Sequence, residues 1–326
     1  MTQSRAPLRI GTRSSPLALW QTERIRTLLL AAGRETERVE IKTTGDLAPE
    51  IPLARIGSRA LFTKQIDDAL LDGRIDLAVH SLKDLPTQLP PGIAIGAISS
   101  REDPRDALVG RAPLLWRDLS RGATIGTSSL RRRAQLLNLR PDLNVVDLRG
   151  NVGTRLAKLD ASPEWAGILL ATAGLVRLGL ESRIGERLSP ELMMPAPGQG
   201  ALAVTVRADD KDVAALVRRA VHDPATSLPV SAERAFLRRL EGGCQVPVAA
   251  YGELKGGGQA AGLDLRGRVV SSGGEALVEG RRIGPAADEE AAAALGAELA
   301  EQVLADGAAA ILAGARAAGA PAVTEP

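Results

Sequence analysis

The chain has 326 residues, 44% of them hydrophobic and only 2% aromatic, with a net charge of +2. That length supports two or three domains with cores of their own. So few rings and so little net charge exclude a base-stacking nucleic-acid binder and leave any anion site to be local.

No stretch is long and apolar enough to span a bilayer, and residues 1–10 hold no apolar signal core, so a cytoplasmic protein without a membrane partner is expected. The one cysteine, Cys244, excludes an internal disulfide, and with only His80 and His222 beside it a zinc site lacks ligands.

Leu8 to Gly11 reads as a strand, followed by a helix from Leu17 that Ser15 caps and Pro16 opens, with Arg13 in the turn. A strand ending at a helix N-terminus is an anion-binding geometry. Val39 to Thr43 is the next strand, and residues 47–60, with two prolines, one glycine, Arg55 and Arg59, read as a lid. A helix over Leu61 to Leu71 and a strand over Ile75 to His80 follow. Lys83 and Asp84 then stand past the strand's carboxyl end, where open α/β sheets bind ligands. Ile93 to Ile98 closes the first lobe, with the boundary in the turn Ser99 to Pro104.

From Arg101 to Arg155 there are eleven arginines, no lysines and six acids. Three strand-to-helix turns recur here, carrying Ser129, Arg131 and Arg132, then Arg149 and Arg155, then Arg177, with arginine expected at the start of each helix. Cations there oppose the helix dipole, and an anionic ligand would offset that cost. Arginine without lysine suggests forked recognition of carboxylates. Arg133 receives no role.

Pro195 to Gly200 reads as a hinge-like linker, and Ala201 to Val206 as a strand returning to the first sheet. The alternation gives an α/β fold: two lobes with mainly parallel sheets around a cleft, plus a small C-terminal α+β domain. The expected division is 1–101 with 201–221, then 102–200, then 222–326. In the last part a helix over Ser227 to Leu240, capped by Ser231, leads to Gly242, Gly243 and Cys244 on a bent loop. An inert thiol and a thiolate that carries a group covalently both fit that loop. Three strands and an Ala-rich helical tail, broken at Gly307, complete the chain.

Six stretches, in one order, resemble the porphobilinogen deaminases, also called hydroxymethylbilane synthases. They are Gly11 to Gln21, Ala78 to Pro86, Arg101 to Asp106, Gly126 to Arg132, Leu148 to Arg155 and Leu240 to Pro247. The resemblance implies a transferase of tetrapyrrole (haem) biosynthesis, a monomer, that condenses four porphobilinogen molecules with loss of ammonia to give hydroxymethylbilane. It implies a dipyrromethane cofactor joined to Cys244 by a thioether, its acidic arms held by Lys83, Ser129, Arg131, Arg132 and Arg155. Arg13, Ser15, Arg149 and Arg177 would hold the incoming ring, and Asp84 would be the catalytic carboxylate. The competing reading, a non-catalytic two-lobed binder of small anions, gives Cys244 and Asp84 no task.

Overall fold

The computed structural model describes residues 6–43, 63–240, 247–256 and 262–319. Cys244 and residues 47–60 lie outside them.

In the first lobe β1 (Leu8–Thr12) leads into α1 (Pro16–Ala31), β2 (Thr36–Glu40), α2 (Lys64–Leu71), β3 (Leu77–Ser81), a single 3-10 turn (Leu82–Asp84) and β4 (Ile93–Ile98). The chain crosses to β5 (Asp106–Val109), then β6 (Thr124–Gly126), α3 (Leu130–Leu139), β7 (Asn144–Val146), α4 (Val152–Ala161), β8 (Trp165–Ala171), α5 (Thr172–Arg177) and β9 (Glu186–Arg187). It returns through β10 (Leu202–Arg207) and α6 (Lys211–Val221). Then come α7 (Pro224–Arg239), β11 (Val248–Lys255), β12 (Gly262–Val270), β13 (Leu277–Pro285), α8 (Glu289–Val303) and α9 (Ala309–Gly319).

The two lobes repeat one plan. Their sheets run β2-β1-β3-β10-β4 and β7-β6-β8-β5-β9. Each has two parallel and two antiparallel pairings, so the sheets are mixed. The antiparallel strand of each, β10 or β5, is the one that arrives from the other lobe. Each sheet is filled by aliphatic residues: Ile10, Leu77, Val204 and Val206 in the first, Leu108, Ile125 and Leu169 in the second, all buried. That is how so few aromatic rings suffice.

The two crossovers run side by side. Glu102 N donates to Gly200 O, and a side chain at Gly200 (φ +95°) would collide with Glu102 O at 2.3 Å. The segment Pro195 to Gly200, expected as a linker, is largely buried and pinned from several sides. Glu233 of α7, fully buried, receives Arg101 on both oxygens (2.7 and 3.1 Å) and the backbone N–H groups of Gly198 (2.7 Å) and Gly252 (2.8 Å). One carboxylate thus ties both crossovers to the C-terminal sheet, β11-β12-β13. α7 lies on that sheet, and Phe236 sits so close to Gly267 that a Cβ there would meet its ring at 2.4 Å.

Several expected elements differ in extent. β2 begins at Thr36, three residues before Val39, because parallel pairing with β1 starts at Leu8↔Thr36 and an edge strand tolerates the polar Glu37, Arg38 and Glu40. α7 begins at Pro224, capped by Asp223, whose carboxylate accepts from Thr226 N; Ser231 is mid-helix. Arg177 closes α5 instead of opening a helix.

Candidate active site

The parallel strands of both lobes end on the side where the crossovers pass. Leu202, the first residue of β10, pairs with Ser81, the last of β3; Asp106, the first of β5, pairs with Ala171, the last of β8. Residues just beyond parallel strands and just before the inserted ones therefore gather at one edge, where α/β sheets take ligands.

In the first lobe Ser15 caps α1, its Oγ accepting from Ala18 N at 3.3 Å. Gln21 Nε2 donates to Ser81 Oγ at 2.8 Å and ties α1 to the end of β3. Arg13 lies near His80, whose pKa is pushed down to about 4, chiefly by burial and secondly by that positive charge. Lys83 and Asp84 occupy the 3-10 turn; Leu82 N donates to Ala201 O, and Arg234 of α7 donates to Pro86 O at 2.8 Å, which fixes the turn from both sides. Asp84 is exposed, whereas Lys83 is half-buried, and burial pushes its ammonium pKa down to about 8.

In the second lobe Ser129 caps α3, accepting from Arg132 N. Arg131 and Arg132 are buried, and their partner is internal. Arg131 Nη1 donates to Asp106 Oδ2 at 2.7 Å, and Arg132 donates through Nε (3.1 Å) and Nη2 (2.7 Å) to Asp106 Oδ1. Burial opposes ionisation of Asp106, but the two guanidinium groups overcome it and hold its carboxyl well below the usual range. The offset expected of a ligand for cations at this helix start is thus supplied largely by the chain itself. The sequence reading missed Asp106, although it stands at the end of the motif Arg101 to Asp106, immediately before a short apolar run. Arg133, half-buried, donates to Val145 O at 2.9 Å.

Arg155, on α4, donates to Gly150 O, and burial pushes its pKa down to about 10, with Arg132 and Arg149 adding to the fall and Asp84 opposing it. Arg177 donates to Gly200 O and stacks 5.6 Å from the Trp20 ring of the opposite lobe; burial lowers its pKa to about 10 and Glu102 opposes the shift.

Lys83, Asp84, Arg131, Arg132, Arg149 and Arg155 therefore share one electrostatic neighbourhood drawn from both lobes. Arg13 and Ser15 lie beyond β1, next to the end of β3, and Arg177 lies against the crossovers. Four of these cations, Lys83, Arg131, Arg132 and Arg155, face two carboxylates, Asp84 and Asp106. Among the described residues positive charge is in excess where burial makes it costly, so this donor set fits a group bearing several carboxylates.

A two-lobed α/β protein that sets the exposed Asp84 beside several cations has the chemistry to hold a small molecule bearing several carboxylates. Residues 8–215 match the family model described as porphobilinogen deaminase, dipyromethane cofactor binding domain, and residues 227–305 match the porphobilinogen deaminase C-terminal domain. The chain is 49% identical over 308 residues to the porphobilinogen deaminase of Geotalea daltonii and 48% identical to that of Geotalea uraniireducens, covering 94% of each chain in both cases. Among solved structures it is similar to a periplasmic substrate-binding protein of an ABC transporter from Coxiella burnetii, with 18% identity, a TM-score of 0.42 and coverage of 67% of this chain and 93% of the other. The chain belongs to the porphobilinogen deaminase family, transferases of tetrapyrrole biosynthesis that work with a dipyrromethane cofactor. Among the described residues no helix is long and apolar enough to cross a membrane.

Proposed function

We propose that the chain condenses four porphobilinogen molecules head to tail, releasing ammonia at each addition, with water finally cleaving the tetrapyrrole from the cofactor to give hydroxymethylbilane, and with Asp84 as the catalytic carboxylate. The observation that carries this reading is the exposed Asp84 carboxylate beside cations that are buried, Arg131 and Arg132, or half-buried, Lys83 and Arg155.

When bound, the dipyrromethane supplies a nucleophilic pyrrole carbon to which each new ring is joined. Cys244 would hold it through a thioether, and Lys83, Ser129, Arg131, Arg132 and Arg155 would grip its acetate and propionate arms. Arg13, Ser15, Arg149 and Arg177 would orient the acetate and propionate of the incoming ring. Asp84 has three tasks. It hydrogen-bonds the pyrrole N–H, balances the positive charge on the incoming ring as the C–N bond breaks and ammonia leaves, and accepts the α-proton released when the new C–C bond forms. Its exposed place on a turn pinned at both ends lets one carboxylate meet successive rings.

The division of the chain into 1–101 with 201–221, 102–200 and 222–326 follows from the same reading. So do a monomeric state and a cytoplasmic location, since the thiol must stay reduced to take its cofactor.

Intact mass is the test. The purified protein should exceed its amino-acid mass by two pyrrole units, and Cys244→Ser should not. Asp84→Asn should keep the adduct yet stall chain growth, cutting kcat by a factor of about 100 or more, the scale of a lost acid–base group. A working enzyme with no adduct, or normal turnover in Asp84→Asn, would overturn the assignment.

A further inference from the structure

Gln199 is 1% exposed and sits in the second crossover, between the lobes. Its amide has three partners. Nε2 donates to Pro104 O at 2.7 Å and to Asp106 Oδ1 at 2.9 Å, while Oε1 accepts from Lys83 Nζ at 3.2 Å. The orientation is dictated by chemistry. A peptide carbonyl and an ionised carboxylate can only accept, and an ammonium can only donate, so a flipped amide would oppose like groups at all three contacts.

The backbone that carries this amide is equally fixed. Gln199 N donates to Ala196 O, Arg101 Nε donates to Gln199 O at 2.9 Å, and Gly200 beside it admits no side chain against Glu102. Arg101 is itself held by Glu233. The side chain is therefore a rigid bracket with one end on the first lobe, at Lys83, and the other on the second, at Asp106.

We propose that Gln199 is a positioning residue. Its amide stands between the Lys83 ammonium and the Asp106 carboxylate and keeps them from collapsing into a direct ion pair. Lys83 thereby retains N–H groups for a ligand's carboxylate, and Asp106 retains its place under Arg131 and Arg132. This rests on the site reading given under Proposed function and extends it to a residue that need not touch the ligand. A neutral amide suits the task, because a carboxylate there would claim the ammonium and an apolar side chain would release it to Asp106, in each case through direct charge–charge attraction.

The experiment uses the cofactor-loaded enzyme and three single variants, Gln199→Met, Gln199→Glu and Lys83→Met, with the double variant Lys83→Met/Gln199→Met. Two quantities are read. One is kcat and KM for porphobilinogen. The other is the pH midpoint for acylation of Lys83 by a small activated ester, followed by peptide mass spectrometry and independent of turnover. Both Gln199 variants should raise the midpoint by about one pH unit or more, since each gives the ammonium a direct carboxylate partner. Both should lower kcat/KM about tenfold or more, because a cofactor arm released by Lys83 leaves the acceptor ring misplaced for the incoming one. The double variant should match Lys83→Met within about twofold in kcat/KM, the signature of residues acting through one another.

Unmoved midpoints in the Gln199 variants, or effects that multiply in the double variant, would overturn this proposal alone while Lys83→Met remains impaired. If Lys83→Met itself leaves KM and kcat unchanged, the site reading falls and this proposal with it. Gln199→Asn keeps a neutral amide too short to bridge both groups, so it supplies the same readouts should Gln199→Met fail to fold.

Discussion

Asp106 decides how the arginines of the second lobe are held. It is wholly buried and accepts from Arg131, Arg132 and Gln199. Asp106→Asn would leave two buried guanidinium groups without their counter-charge, a change that costs about 3–5 kcal/mol when one partner of a buried pair is removed. Denaturant unfolding should show that loss, and a variant within about 1 kcal/mol of the parent would mean the arginines find another partner on the scale of surface effects. Lys83 sets the pH response. Its pKa of about 8 means that the ammonium is present below that pH and lost above it, so kcat/KM for porphobilinogen should fall on the alkaline side with a midpoint near 8. The stability term has the opposite sign. The folded protein holds fewer protons than the unfolded chain between about 8 and the ordinary lysine value, so this group's contribution to stability rises with pH across that window. A flat alkaline profile would count against Lys83 as a ligand-facing cation. Lys83, Asp84, Arg131 and Arg132 were legible in the sequence because each follows a strand's carboxyl end. Asp106 and Gln199 were not, because a parallel-strand reading assigns no ligand role to the start of an antiparallel strand or to a residue in a linker.

At the scale of elements, α7 does more than lead toward the cysteine. Through Glu233 it fastens both crossovers, through Arg234 it fastens the turn carrying Lys83 and Asp84, and through Phe236 it lies on the C-terminal sheet. Glu233→Gln should therefore cost roughly 3–5 kcal/mol, since Arg101 would lose the charge that compensates its burial. It should also raise proteolytic cleavage within residues 195–200, and unchanged protection there would show that the crossovers do not depend on this carboxylate. The helix was visible from its apolar spacing, yet its start was placed three residues late, at Ser227 in place of Pro224, and its cap eight residues late, at Ser231 in place of Asp223. Pro229 lies inside it and Asp223 caps it from farther back, and both features become clear only once tertiary packing on the sheet is seen. β5 was missed altogether, because four residues, Asp106 to Val109, offer no periodicity to read. Arg177 was assigned to a helix start because the two turns before it follow that rule; the third strand runs straight into a six-residue helix that Arg177 ends.

The whole molecule is interleaved. Each lobe completes its sheet with a strand supplied after the chain has visited, or left, the other. A fragment of residues 1–101 would lack β10, which lies between β3 and β4, and so would present two unpaired inner edges. Expressed alone it should be aggregated or unfolded by circular dichroism and gel filtration, and adding residues 201–221 through a short linker should restore a folded lobe. A stable, monomeric 1–101 fragment would contradict that expectation. The lobes themselves were legible from strand–helix alternation; the insertion of the returning strand between two others was not, because pairing partners more than a hundred residues apart leave no local trace.

The same interleaving orders events at the ribosome. Val204 is made long after the Val79 and Ala97 beside which it must lie. At ordinary elongation rates that interval is on the order of 5–20 s, during which the nascent first lobe waits with a gap in its middle. The second lobe can finish earlier, since its borrowed strand emerges first. Vectorial synthesis thus reverses the order in which the halves are written, and the newborn chain has a window in which a chaperone, or a neighbouring nascent copy, can fill the vacant slot.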